Sequence, residues 1–289
     1  MNKWILGARP RTLPAAIAPV VTATALAFHQ KKNIDWINSL LALAVGVALQ
    51  IGVNYSNDYS DGIKGSDADR VGPIRLVGSK LASAKSVKNA ALFAYFVAAI
   101  FGLVLALRTS WVLLLVGAIS IVGAWYYTGG KNPYGYRGLG EISVFLFFGL
   151  VATVGTYYGE TSTISLWSVA LGMEMGLLAC AILAVNNLRD LPKDKLVGKK
   201  TLAVRLGDAK ARKFLVSLLI FALAIQIAFI SLTPLALLPI AMLPYGYRLA
   251  KGILSGAQGV ELIPTLGAMA KLQMLTSLWI ALSFVLGSR

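Results

Sequence analysis

Two short stretches of this 289-residue chain carry side chains able to do chemistry together. The first runs from Asn54 to Asp67, directly after an apolar run containing Leu49, Ile51 and Val53, and it holds Asn57, Asp58, Asp61 and Asp67. Only 12 Asp and Glu occur in the whole chain, so this local crowding of acids at the end of a membrane-grade segment calls for a purpose. Read as a helix, Asn54, Asn57, Asp58 and Asp61 fall at i, i+3, i+4 and i+7 and share one face. Like charges at that spacing repel unless something cationic lies between them, and hard oxygen ligands suit Mg²⁺. Taken alone, the stretch is also what a solvated acidic loop looks like. The second stretch, Asn186-Asn187-Leu188-Arg189-Asp190-Leu191-Pro192-Lys193-Asp194, again follows a long apolar run and repeats the pattern of amides followed by Asp190 and Asp194. Two carboxylate sets at matching membrane depth suit a clamp for two metal ions. Ions held by few carboxylates complete their shells with substrate phosphate oxygens, which makes a diphosphate the natural third party.

The elements that must position these groups follow from composition. With 57% hydrophobic and 13% charged residues, and a mean hydropathy of +0.72, the chain reads as an all-α polytopic membrane protein. Apolar runs near residues 13–28, 37–54, 87–107, 111–128, 139–158, 166–187, 213–232, 234–250 and 266–287 predict about nine transmembrane helices around a central cavity. A single domain over 1–289 is expected. The first dozen residues show no apolar core followed by a cleavage site, so the first span reads as a retained helix. The net charge of +15 is not gathered into a nucleic-acid patch but sorted by loop. Of the 27 Lys and Arg, only Lys31, Lys32, Arg108 and Arg289 fall on the side opposite the N-terminus. That asymmetry places the N-terminus and both aspartate loops in the cytoplasm of a cell (inner) membrane protein. Trp36, Trp111, Trp125 and Trp167 sit near span ends, as interfacial anchors do.

Other residues add to the two stretches. In the run Gly72-Pro73-Ile74-Arg75, Gly-Pro turns the chain and Arg75 can swing back over an anion, although it also serves as an orientation charge. Between the fourth and fifth spans, the glycine-rich loop Tyr126 to Gly138 lets backbone amides approach an anion, with Lys131 and Arg137 supplying charge. Its tyrosines, Tyr127 and Tyr134 among them, either anchor at the interface or wall a pocket for a carbocation. The loop after the sixth span adds Lys193, Lys195, Lys199, Lys200 and Arg205 near Asp190, much of it orientation charge. Glu141 lies near the cytoplasmic end of its span, where it can reach water, whereas Glu174 lies deeper and has no assigned role. One cysteine, Cys180, excludes an intramolecular disulfide, and one histidine, His29, at the outer end of the first span, excludes multi-histidine metal sites and Ser-His-Asp triads at the aspartate loops.

These residues together resemble the UbiA-type intramembrane prenyltransferases over nearly the whole chain. The family's Asn-Asp-x-x-Asp-x-x-x-Asp motif falls on Asn57, Asp58 and Asp61, with Gly65 where the last Asp belongs and Asp67 as the nearest acid. Its Asp-x-x-x-Asp motif falls on Asp190 and Asp194, and its Tyr-x-x-x-Lys element on Tyr127 and Lys131. The branch acting on 1,4-dihydroxy-2-naphthoate is suggested by the runs Arg9 to Pro14, Gly72 to Val77, Tyr134 to Glu141 and Gly198 to Thr201. The resemblance implies that Asn57, Asp58, Asp61, Asp67, Asp190 and Asp194 hold Mg²⁺ against the diphosphate of a polyprenyl donor. It implies Asp61, Asp190, Lys131 and Arg75 as catalytic groups, and Arg9, Arg11, Lys64, Arg75, Tyr127, Lys131, Tyr134, Arg137 and Asn187 as substrate contacts. The implied reaction joins the polyprenyl group to dihydroxynaphthoate with loss of its carboxylate, within the lipid bilayer. Two alternatives are an enzyme acting on 4-hydroxybenzoate or homogentisate and, from another class, a transporter of an anionic solute. The sequence carries no signal of oligomeric state.

Overall fold

A long apolar run satisfies its backbone polar groups within a bilayer only as a helix or a closed barrel, and the described residues contain no strand. The computed structural model describes residues 2–65, 72 and 74–288. Helix α1 (Lys3–Ala8) and α2 (Pro14–Lys31) meet at a bend of 50°. Then come α3 (Trp36–Ile63), α4 (Ala84–Arg108) and α5 (Val112–Tyr126). Helix α6 (Gly140–Val144), a π-helical segment (Phe145–Val151) and α7 (Ala152–Thr161) run on as one rod. Next are α8 (Leu166–Leu196), the short α9 (Leu202–Leu206) and α10 (Asp208–Ala228). A 3₁₀ stretch (Pro234–Met242) leads into α11 (Leu243–Leu254), and α12 (Leu262–Leu286) ends the chain.

All nine apolar segments expected from the sequence are helical, but length and composition do not confirm nine crossings. Among the described residues, six helices are long and apolar enough to cross a membrane, or seven if the bent pair of α1 and α2 is one span. Helix α5 has only 15 residues, and the segment at Pro234 is wound as a 3₁₀ helix with Pro234 and Pro239 inside it.

Caps fix where the long helices begin. Asp35 accepts the Ile37 N–H at the start of α3, Ser83 accepts the Ser86 N–H at the start of α4, and Ser165 and Ser168 form a reciprocal capping box on α8. Helix α8 runs through the centre, with Leu171, Met175 and Val185 fully buried, packed against α10, α12 and the π-helical segment. The π-helical crossing is tight: a Cβ on Gly149 would lie 2.5 Å from the Gly176 Cα and 2.6 Å from the Gly172 carbonyl oxygen. Phe93, Phe96, Leu115, Ile119, Ile220 and Phe221 are each more than half exposed, which suits an outer face against lipid and makes this a multi-pass membrane protein.

The two ends of the bundle differ. Asp35 and Asp61 lie ~39 Å apart along α3 at the usual helical rise. At the Asp35 end a hydrogen-bonded knot ties four helices together. Arg108 donates to Asp35 (2.6 Å) and Asn38 (2.8 Å), Glu160 accepts from Ser39 (2.6 Å) and the Asp35 N–H (2.8 Å), and Thr24 bonds Ser39 (2.9 Å). Burial acts to raise the Asp35 pKa, yet the hydrogen bonds from Arg108 and from the Ile37 and Asn38 backbone, with the Arg108 charge, together outweigh it and hold the carboxyl below its ordinary value.

Candidate active site

At the other end of α3 the helix stays amphipathic past the apolar run, and its polar stripe faces inward. Gln50, Asn54, Asn57 and Asp61, at successive i+4, i+3 and i+4 steps, all line a cavity of about 520 Å³. Asp190, Asp194 and Asn187 of α8 line the same cavity from the opposite wall. Both aspartate stretches therefore meet across one space.

Asp61 is 4% exposed and is surrounded by donors. Arg75 and Lys199 each approach it at 3.3 Å, on different carboxylate oxygens, and the Tyr136 hydroxyl donates to it. Asn57 is oriented by the Thr128 hydroxyl, which donates to its side-chain oxygen at 2.7 Å. Lys64 donates to the Thr128 carbonyl (2.8 Å) and lies 5.0 Å from the Tyr136 ring centre, while Lys199 lies 4.3 Å from the same ring. Burial lowers the Lys64 pKa, as does the like charge of Lys199, against the opposing pull of Asp61.

Across the cavity, Arg189 grips Asp190 through two bonds of 2.7 Å and reaches back to Asn186 at 2.7 Å. Its buried guanidinium lies against Gly72, whose φ is +149° and on which a Cβ would come within 3.2 Å of the Arg189 Cζ. Asn187 donates to Glu141 (2.9 Å), so Glu141 does not reach water as expected: it is 6% exposed and tucked behind the cavity wall. Glu174 is 1% exposed, and one of its carboxylate oxygens has no hydrogen-bond partner among the described residues.

The walls are aromatic below the carboxylates. Tyr127, Tyr134, Phe147 and Phe148 line the cavity, and Tyr127 meets Tyr134 edge to face at 5.6 Å. Tyr134 donates to the Gly123 carbonyl at 2.7 Å and bonds Ser143 at 3.0 Å. Burial raises the pKa of both phenols, for Tyr127 with the nearby Glu141 charge adding to it, so both stay protonated. On the remaining side, Arg9 lines the cavity from the bend after α1 with a left-handed backbone (φ 53°). Beside it Thr12 accepts from Gln50 (2.9 Å) and Asn54 (3.0 Å) and donates to the Arg9 carbonyl (2.9 Å).

Of the residues expected from sequence, Asn57, Asp61, Asp190, Asp194, Arg75, Arg9, Tyr127, Tyr134 and Asn187 line this one cavity. Five do not join it, among them Lys64, which is exposed and bonded to the Thr128 carbonyl. Asp58 is fully buried but turned aside, accepting the N–H groups of Leu76 (2.7 Å) and Val77 (3.0 Å). Arg11, Lys131 and Arg137 are exposed and outside the cavity lining, and for Lys131 the turn at Gly129-Gly130 (φ +76° at Gly130) carries the side chain outward. Asp67 lies outside the described residues. Sequence reasoning missed Gln50 and Thr12 and gave Tyr136 and Lys199 no specific role. Gln50 alone left a signal, as an amide inside an apolar run one helical turn before Asn54.

Comparison with known proteins places the site in context. A family profile described as the UbiA prenyltransferase family matches residues 16–262. A 1,4-dihydroxy-2-naphthoate octaprenyltransferase of Mycobacterium tuberculosis is 50% identical over 264 residues, covering 91% of this chain and 90% of that protein. The protein of the same name from Escherichia coli K12 is 40% identical over 227 residues, covering 76% and 73%. A UbiA homolog from Archaeoglobus fulgidus bound to GPP and Mg²⁺ has the same fold, with a TM-score of 0.69 at 13% identity over 97% of this chain and 99% of that one.

Proposed function

The chain belongs to the UbiA prenyltransferase family, and from that premise we propose that it transfers a polyprenyl group from a polyprenyl diphosphate to 1,4-dihydroxy-2-naphthoate. The observation that carries the reading is the meeting of Asp61 with Asp190 and Asp194 in one cavity whose deeper walls are aromatic and apolar. Relatives named for this reaction, at up to 50% identity, support the choice of acceptor.

The side chains fit Mg²⁺. Asn57, Asp61, Asp190 and Asp194 offer only hard oxygen atoms, from two helices facing each other. Among the described residues no three acidic, His or Cys side chains converge tightly enough to hold an ion unaided. That spread suits a metal bound through one or two carboxylates plus substrate phosphates. When bound, Mg²⁺ would neutralise charge on the diphosphate leaving group.

The chain's own groups account for the rest. Arg75, Lys199 and Lys64 supply positive charge where the allylic C–O bond breaks and the diphosphate gathers charge. Tyr127, Tyr134, Phe147 and Phe148 present ring surfaces to the allylic cation and keep water from it. Arg9 faces the acceptor's carboxylate. As the ring carbon bonds to the allylic carbon, the ring–carboxylate bond breaks, its electron pair stays with the ring, and CO₂ leaves. The lysines and arginines around the site also favour an inner-membrane protein with this end in the cytoplasm.

Purified protein given dihydroxynaphthoate and a polyprenyl diphosphate is expected to release diphosphate and form prenylated product only with Mg²⁺ present. Asp61→Ala and Asp190→Ala are expected to lower kcat by about 10²-fold or more. Product formed equally well with EDTA, or by Asp61→Ala, rules the reading out.

A further inference from the structure

Asp58 belongs to the acidic stretch yet faces away from the cavity, and its surroundings show what it does instead. Asn57 and Asp61 are one turn apart on the inner face of α3, whereas Asp58 lies about 100° round the helix from Asn57 and about 60° from Asp61, at the edge of that face. Both of its carboxylate oxygens are engaged, Oδ2 by the Leu76 N–H at 2.7 Å and Oδ1 by the Val77 N–H at 3.0 Å, and the residue is fully buried. The flank of α3 is shaped to seat this loop. Leu76 is fully buried in a cluster with Tyr55, Val87 and Tyr95. One turn beyond Asp58, a Cβ on Gly62 would lie 2.5 Å from the Val77 Cβ. The carbonyl of Arg75 is held as well, by the Ser79 hydroxyl at 2.5 Å and the Ser79 N–H at 3.0 Å. The backbone on the C-terminal side of Arg75 is thus fixed, and its guanidinium, 6% exposed, lies 3.3 Å from Asp61 at the cavity wall.

We propose that Asp58 is a positioning residue, which clamps the Leu76–Val77 backbone so that Arg75 is delivered to the diphosphate; this rests on the prenyl-transfer reading above. Service as a metal ligand would pull the carboxylate off two N–H groups, that of Leu76 buried and that of Val77 partly so, and leave both without this acceptor. With the clamp in place, Arg75 exchanges Asp61 for a phosphate oxygen by side-chain rotation alone.

The test combines kinetics with amide exchange. Asp58→Asn keeps the shape but sets an amide NH₂ against one of the two N–H donors. It is expected to cut kcat for Mg²⁺-dependent diphosphate release roughly tenfold. The Mg²⁺ concentration for half-maximal rate should stay within about twofold of wild type, and Asp58→Asn should cost nothing further in an Arg75→Ala background. Hydrogen exchange should quicken at Leu76 and Val77 and stay unchanged along α8. A Mg²⁺ requirement raised about tenfold, a loss that persists with Arg75→Ala, or unchanged exchange at Leu76 and Val77 each overturns the proposal. If Asp58→Asn does not fold, Ser79→Ala, which removes only the hydroxyl bond to the Arg75 carbonyl, should give a smaller loss that also vanishes with Arg75→Ala. Wild-type protein that releases no diphosphate would refute the reaction itself, while the exchange data would still report on the clamp.

Discussion

Lys64 shows how a single side chain ties the site's charge to pH. Burial and the neighbouring Lys199 lower its pKa, with Asp61 opposing, and the protonated form is the one that bonds the Thr128 carbonyl and offers charge to a phosphate. The active form therefore exists below the lowered pKa and is lost as pH rises through it, at a lower pH than the ~10.4 of a free lysine. In pH–rate profiles of kcat/KM for the donor, Lys64→Arg is expected to move the alkaline limb upward; a limb that stays in place removes Lys64 from the site. At this scale the sequence was readable where spacing decides the outcome. Asn57 and Asp61, like Asp190 and Asp194, sit one turn apart and must face the same way. It was unreadable where a distant loop decides: nothing in the spacing of Asp58 says that Leu76 and Val77 return to it. In the same way, the exposed turn that carries Lys131 outward and the approach of Lys199 to Asp61 across 138 positions are tertiary events.

Among the elements, the rod from Gly140 to Thr161 depends most closely on its neighbour. Its π-helical middle packs backbone to backbone on α8, where Gly149 has no room for a Cβ against Gly172 and Gly176, whereas a Cβ on Gly155 meets nothing within 4 Å. Gly149→Ala should therefore force the rod off α8 at a cost of ~1–3 kcal/mol, seen as a lower Tm in detergent, while Gly155→Ala should leave Tm nearly unchanged. Equal Tm values for the two would contradict the close approach. All nine helical segments were visible in the apolar runs, because about 20 apolar residues leave the backbone few options. Their winding was not visible. The same composition suits α, 3₁₀ and π geometry, and the choice at Phe145–Val151 depends on what packs alongside.

For the molecule as a whole, the charge asymmetry predicts an orientation, and a sparse thiol content makes it measurable. Cys180 is the sole cysteine and is 2% exposed, so a thiol introduced elsewhere reports alone. A membrane-impermeant maleimide is expected to label Lys131→Cys only from the cytoplasmic side and Ser162→Cys only from the opposite one; the reverse pattern would invert the topology. The knot of Asp35, Arg108, Asn38, Glu160, Ser39 and Thr24 gives the orientation a further meaning. None of these six residues lines the cavity, and together they tie off the far end of the bundle. The charged groups that line the chamber, among them Asp61, Asp190, Asp194, Arg75 and Lys199, belong to the opposite end, so the site's charges and the bonds that hold the far end are separate sets of residues.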